Sequence, residues 1–345
     1  YVDSHARASA RTLSRGVIGA RRLGRADRTG SAFACAVYTL WEVVTAISLA
    51  TVIAELESLL NQPTLFDEAE VGSRAAAIDF LRFAAGTIRA YERSHGVAPT
   101  TQQLYEQASR LEHELRAVDQ TLFGKIRDDI RSGKLVGSRL RSLSDQFTSY
   151  EPHRNAHLHV GLDPLDALVA GVLHATPPPH PTTALAPDMI AFQPSPISVV
   201  LELIDQTPMG VDDVFYDLGS GLGDVAIMVH LLTGVRAHGI EIDPGMCTFA
   251  QDQAVALGLV EVTFINADVR SVDIGDGTVF YLFTPFGGDL LMEVLAKLEN
   301  VAQQHTIHVG TYGPLTPIAA GLPWLESINR HQDDPFRLAV FKSRR

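Results

Sequence analysis

A chain of 345 residues is more than twice the length of an ordinary domain, so more than one core is expected. Its 46% hydrophobic, 20% charged and 7% aromatic residues exclude collagen-like, mucin-like and wholly disordered chains. The net charge of −12 is uneven: residues 1–30 hold seven arginines against Asp3 and Asp27, whereas from Leu185 onward there are 20 acidic and 8 basic residues, a poor surface for a phosphate backbone, so nucleic acid is disfavoured as a partner.

Residues 1–30 read as an Arg-rich arm, a non-native leader or a targeting segment. Next, residues 31–54 carry a single charge, Glu42, and are long enough for a membrane span. Val37, Trp41, Val44, Ser48 and Val52 follow helical spacing that continues into Glu55 and Glu57, which favours a buried helix of a soluble bundle over the membrane reading. Residues 31–150 are expected to be a helical domain. One helix is predicted over 75–93, ended by His95-Gly96-Val97-Ala98-Pro99, and another starts at a Thr100 or Thr101 cap, with Leu104, Ala108, Leu111, Leu115, Val118 and Leu122 on one face. The two cysteines, Cys35 and Cys247, are too few for a disulfide framework and point to buried thiols in the cytoplasm.

Residues 151–185 hold His153, His157, His159, His174 and His180 together with Pro177-Pro178-Pro179 and Pro181, the composition of a linker. The histidines have no neighbouring cysteine that would complete a zinc spacing, so no metal is expected. From residue 186 to the end, strands predicted at 214–218, 237–241, 262–266, 278–283 and 306–310 alternate with helices at 225–232, 246–257 and 290–304. That alternation predicts a doubly wound α/β domain with right-handed crossovers, closed by an antiparallel hairpin of 324–331 with 336–342.

The first of these strands runs into Gly219-Ser220-Gly221-Leu222-Gly223-Asp224, a loop whose glycines permit close approach of a nucleotide-like ligand. Dinucleotide folds space these glycines G-x-G-x-x-G. Here the spacing is G-x-G-x-G, with Asp224 in the third glycine's place, where a carboxylate would repel a pyrophosphate. Acids stand at three successive strand ends: Asp217, Glu241 in position for ribose hydroxyls, and Asp268 in position for an adenine amino group, although turn formation or capping could also account for each.

On these residues the segment from about 186 to 345 resembles class I S-adenosylmethionine-dependent methyltransferases, whose first motif matches Asp217 to Gly223, second Glu241 and third Asp268. Within that superfamily, the same stretch and Phe192-Gln193-Pro194-Ser195-Pro196 are similar to the non-SET histone-lysine methyltransferases named for disrupting telomeric silencing, and to bacterial proteins likened to them. The resemblance implies S-adenosyl-L-methionine as cofactor. It gives Asp217 the methionine ammonium, places Gly219, Ser220 and Gly221 along the cofactor, and assigns Glu241 to the ribose, Asp268 with Val269 to the adenine, and the segment containing Phe192 and Pro194 to covering it. The fourth strand ends Thr284-Pro285-Phe286, where amine methyltransferases carry an Asn- or Asp-Pro-Pro-aromatic motif. Thr284 and Phe286, with Tyr312 and Tyr281, are therefore the expected acceptor-side residues. The expected reaction is methyl transfer to an N or O nucleophile of a small metabolite or non-histone protein, with a histone-type lysine methyltransferase or a non-catalytic cofactor-binding module as alternatives.

Overall fold

The computed structural model describes residues 49–147 and 163–344, apart from 185, 187, 284 and 333. The Arg-rich start, most of the stretch 31–54, and His153, His157 and His159 lie outside the described residues. The chain divides into two units at Ala54, and the described residues from Glu55 onward form one compact unit. Among the described residues no helix is long and apolar enough to cross a membrane.

Helix α1 (Leu49–Leu60) is followed by α2 (Val71–His95) and α3 (Pro99–Arg131). Ala77, Ile78 and Leu81 of α2 pack on Ala108, Leu111 and Leu115 of α3, the stripe expected from the periodicity. The N-cap of α3 differs from expectation. Ala98 takes that position and Thr101 lies inside the first turn, where its hydroxyl accepts from Ala98 N at 3.2 Å and donates to Glu92 Oε1 at 2.8 Å. The helix also continues past Leu122, because nothing breaks it before Gly133, which adopts a left-handed φ of 69°.

Two further helices, α4 (Ser138–Phe147) and α5 (Pro164–Leu173), complete the helical layer. The second lies inside the stretch read as linker. Asp163 caps it by accepting from Leu165 N at 2.8 Å, Pro164 opens it, and Leu165, Leu168, Val169, Val172 and Leu173 are buried. Only after His174 does the chain lose regular structure.

The α/β part comprises α6 (Ile197–Gln206), β1 (Val214–Leu218), α7 (Asp224–Thr233), β2 (Arg236–Glu241), α8 (Pro244–Ala256), β3 (Val262–Asn266), β4 (Val279–Phe283), α9 (Gly288–Ala302), β5 (His308–Tyr312), α10 (Thr316–Ala320), β6 (Leu325–Ser327) and β7 (Ala339–Ser343). The strands form a seven-stranded sheet in the order β3-β2-β1-β4-β5-β7-β6, parallel except for β7, which pairs antiparallel with both neighbours. Two expectations shift here. β5 starts two residues later than predicted, and the closing pair is shorter than 324–331 with 336–342, with β7 inserted between β5 and the edge strand β6.

One face of the sheet shares a core with α6, α7, α8 and the ends of α3, α4 and α5, including Leu122, Ile126, Ile130, Leu140 and Leu165. The other face packs on α9 and α10. Covered on both sides, β1 is buried at every residue, which is why it reads as a continuous run and not as an alternation. The strand order reverses between β1 and β4, and a doubly wound sheet opens its crevice at the carboxyl ends of the strands flanking such a reversal.

Candidate active site

The crevice has two compartments. The larger, with about 1010 Å³ of empty space that opens to solvent, is lined by Glu241, Asp243, Asp268 and Val269 and by Met246, Phe286 and Leu290. The smaller is lined by Asp217, Ser220, Asp224, Pro194 and Ser195. Gly219, Phe192, Gln193 and Phe283 face both.

The loop after β1 is shaped by what lies against it. Gly221 has a φ of 53°, and a Cβ built there would fall 2.1 Å from Cε2 of Phe192; at Gly219, φ 92°, it would fall 2.4 Å from Cβ of Pro285. Glycine is thus required by backbone conformation and by contact together. The loop N–H groups turn inward: Gly219 N and Ser220 N donate to Ile240 O at 2.9 and 3.0 Å, and Gly221 N donates to Glu241 Oε2 at 2.8 Å. These bonds tie the loop to the end of β2.

Asp217 is 3% exposed and, among the described residues, no hydrogen bond to its carboxylate is formed. Burial first, then the charges of Glu241 and Asp224, pushes its pKa up to about 8. Ser220 Oγ is buried without a partner beside it. A cationic group entering this compartment would meet a carboxyl with nothing else to bind. Glu241 is 9% exposed and braces both its neighbours, accepting from Gly221 N and from Asp243 N, each at 2.8 Å. Each of its oxygens keeps a second lone pair for a ligand hydroxyl.

Asp268 plays the capping part as well as lining the cleft. It accepts from Arg270 N at 2.9 Å and pairs with the Arg270 guanidinium at 2.7 Å, and that side-chain hydrogen bond holds its carboxyl below the usual range. Val269, buried in a 3-10 turn (Val269–Ser271), presents the neighbouring backbone.

Thr284 lies outside the described residues. Phe286 is 6% exposed and lines the larger compartment and not the smaller one, pairing with Met189, another of its lining residues, in an isolated antiparallel bridge. Phe283 ends β4 and faces both compartments, with the Tyr312 ring 4.9 Å from its own. Burial, then Asp334 and Glu202, raises the Tyr312 pKa. Tyr281 is set deeper, and its hydroxyl donates to Ser195 Oγ at 3.1 Å, fixing the covering segment.

Two residues of the site, His174 and Asp243, were given no role from the sequence, and Gln193 had one only as part of the covering segment. His174 Nε2 lies 2.8 Å from Asp224 Oδ1, so the helical layer reaches the smaller compartment. Asp243 binds the proline-rich segment, and Gln193 stands between the compartments. Only Asp243 had a local signal, the Asp-Pro pair that opens a helix.

A parallel sheet with one inserted antiparallel strand, a glycine loop after β1 and acids at the ends of β1, β2 and β3 define the class I methyltransferase fold. Residues 195–263 match the model of a family described as histone methylation protein DOT1. The chain is also 44% identical over 43 residues to a histone-lysine N-methyltransferase, H3 lysine-79 specific, of Cryptococcus neoformans; the match covers 12% of this chain and 7% of that protein. Among solved structures it is similar to an RNA methyltransferase from Salinibacter ruber in complex with S-adenosyl-L-homocysteine, with 25% identity, 44% of this chain and 92% of that chain covered, and a TM-score of 0.33. A precorrin-6y C5,15-methyltransferase from Geobacter metallireducens gives 16% identity, 47% and 93% coverage and a TM-score of 0.33.

Proposed function

We propose that the protein is an S-adenosylmethionine-dependent methyltransferase acting on an amine of a protein. The observation that carries this reading is the buried, unpartnered carboxyl of Asp217 in a small compartment adjoining a larger one lined by Glu241, Asp243 and Asp268. That arrangement fits a ligand with a cationic amino-acid end and a nucleoside end, as S-adenosylmethionine has. Asp217 would hold the ammonium, Glu241 the ribose hydroxyls, and Asp268 with the Val269 backbone the adenine, between Phe286, Leu290 and Met246. When bound, the cofactor supplies a methyl on sulfonium sulfur for in-line displacement. The chain's own contribution is alignment, with Phe283 and Tyr312 flanking the end of β4 and the Phe192 segment excluding water; such positioning is worth about 7–11 kcal/mol of barrier. An apolar approach past Phe283 favours the neutral amine that the displacement needs.

The DOT1 match and the similarity to a lysine-79-specific enzyme support an amine acceptor. The excess of acid from Leu185 onward argues against docking on nucleosomal DNA, so the acceptor proposed is a protein other than a DNA-wrapped histone. Incubating the protein with cell extract and methyl-labelled cofactor tests this: label is expected in the protein fraction, as methyl-lysine after hydrolysis. Label confined to small molecules would replace the acceptor reading, and cofactor binding without any transfer would leave a non-catalytic binding module.

A further inference from the structure

After His174 the chain leaves the helical layer, and Pro181 and Thr183 form part of the lining of the larger compartment. Among the described residues from 175 to 184 none is buried, and none adds to a core. Apolar burial therefore does not hold this segment against the cleft. Polar bonds do: Ala175 N donates to Gln253 Oε1 at 3.3 Å where the segment starts, and beside the cleft Asp243 Oδ2 accepts from Thr182 N at 2.6 Å, Thr182 Oγ1 at 3.0 Å and Thr183 N at 2.7 Å.

The other oxygen of the same carboxylate, Oδ1, caps α8 by accepting from Gly245 N at 2.9 Å and Met246 N at 3.0 Å. Asp243 N donates to Glu241 Oε1. Although burial opposes ionisation, the bonds from Met246, Thr183 and Thr182 hold the Asp243 carboxyl well below the usual range, so all five bonds are charge-assisted. The prolines at 177–179 and 181 restrict the free segment, which lowers the entropy that docking must overcome. Further along, the chain is fastened again by Gly287 N donating to Asp188 O at 2.7 Å and by Ile190 N donating to Pro285 O at 3.3 Å.

We propose that Asp243 is a positioning residue that latches the proline-rich segment as the outer wall of the nucleoside end of the cleft, and so sets how long the cofactor stays bound. The inference rests on the cofactor reading above and adds a determinant of residence time to it. Asp243→Asn separates the two jobs of the carboxylate. The amide oxygen can still cap α8, while the amide nitrogen, a donor, now faces three donors from Thr182 and Thr183.

With S-adenosylhomocysteine as probe, Asp243→Asn is expected to melt cooperatively at a lowered temperature, since a charge that stabilises the fold is lost, to release the probe about tenfold faster or more, and to exchange the amides of 182 and 183 faster without change in α8. Thr182→Val combined with Thr183→Pro leaves Asp243 and α8 untouched and is expected to reproduce the faster release, so the inference does not depend on how well the first variant folds. An unchanged release rate in the double variant would overturn it, as would faster release with the segment still protected in Asp243→Asn. If the wild type binds no probe, the cofactor reading fails, and amide exchange in the ligand-free variants still decides whether Asp243 holds the segment.

Discussion

At the scale of single residues, the buried Asp217 makes the site sensitive to pH in a direction unusual for a carboxylate. Its folded-state pKa of about 8 lies above the unfolded value, so the folded chain holds the proton more tightly, and the stability this contributes is present below about pH 4 and drains away as pH rises toward 8. Asp217→Asn is expected to flatten that dependence in thermal melts between pH 5 and 8. A cationic ligand end needs the ionised carboxylate. Affinity for S-adenosylhomocysteine is therefore expected to climb with pH in this window, by at most about tenfold per unit, with a proton released on binding. Calorimetry in buffers of different ionisation enthalpy would register that proton, and its absence in the wild type would remove Asp217 from the ammonium role.

The element that decides access is the loop after β1, packed under Phe192. Because Gly221 has positive φ and its missing Cβ would strike the Phe192 ring, Gly221→Ala combines about 1–2 kcal/mol of backbone strain with displacement of the covering segment. Cofactor affinity is expected to drop in that variant. Phe192→Ala in the same chain relieves the collision but not the strain, so affinity should return only in part when the two are measured together by calorimetry. Full recovery would mean that the ring contact alone requires glycine, and no recovery that Phe192 is unconnected to the loop's position. The loop was legible in the sequence because glycine spacing encodes backbone geometry locally. The inward turn of its N–H groups was not, since Ile240 and Glu241 meet them only when β2 lies beside β1.

For the whole molecule, the helical layer and the sheet share one core, in which Leu122, Ile126 and Ile130 of α3 join Val225, Ala226 and Val229 of α7. Polar ties cross the same boundary: Arg131 Nε donates to Ala256 O at 2.7 Å, Gly137 N to Leu231 O at 2.8 Å, and Arg141 grips Asp205 with two bonds of 2.7 and 2.8 Å. A chain beginning at residue 186 would expose the α7 face of that core. Each fully buried aliphatic side chain so exposed costs roughly 1.5–3 kcal/mol, and the few that α3 to α5 cover amount to the whole margin of an ordinary domain. Such a truncation is expected to lack a cooperative melting transition by calorimetry and to bind a hydrophobic dye. A sharp transition in the fragment would show instead that the sheet is an independent domain.

Strand and helix positions from Val214 to Ala302 were readable because each depends on local signals: β-branched runs, glycine turns and the period of the apolar residues. The acids at Asp217, Glu241 and Asp268 could be found for the same reason, since a strand end is a local event. What needed the tertiary structure was everything built across distant segments. The packed helix α5 hid behind neighbouring prolines and histidines. Phe286 joined Met189 in lining the larger compartment, and His174 reached Asp224 from fifty residues away. Sequence by itself determined which backbone segments are strands, turns and helices, because those choices are settled within a few residues. Only the fold decided which side chains share a cleft, because burial and hydrogen bonding between remote segments have no counterpart in local spacing.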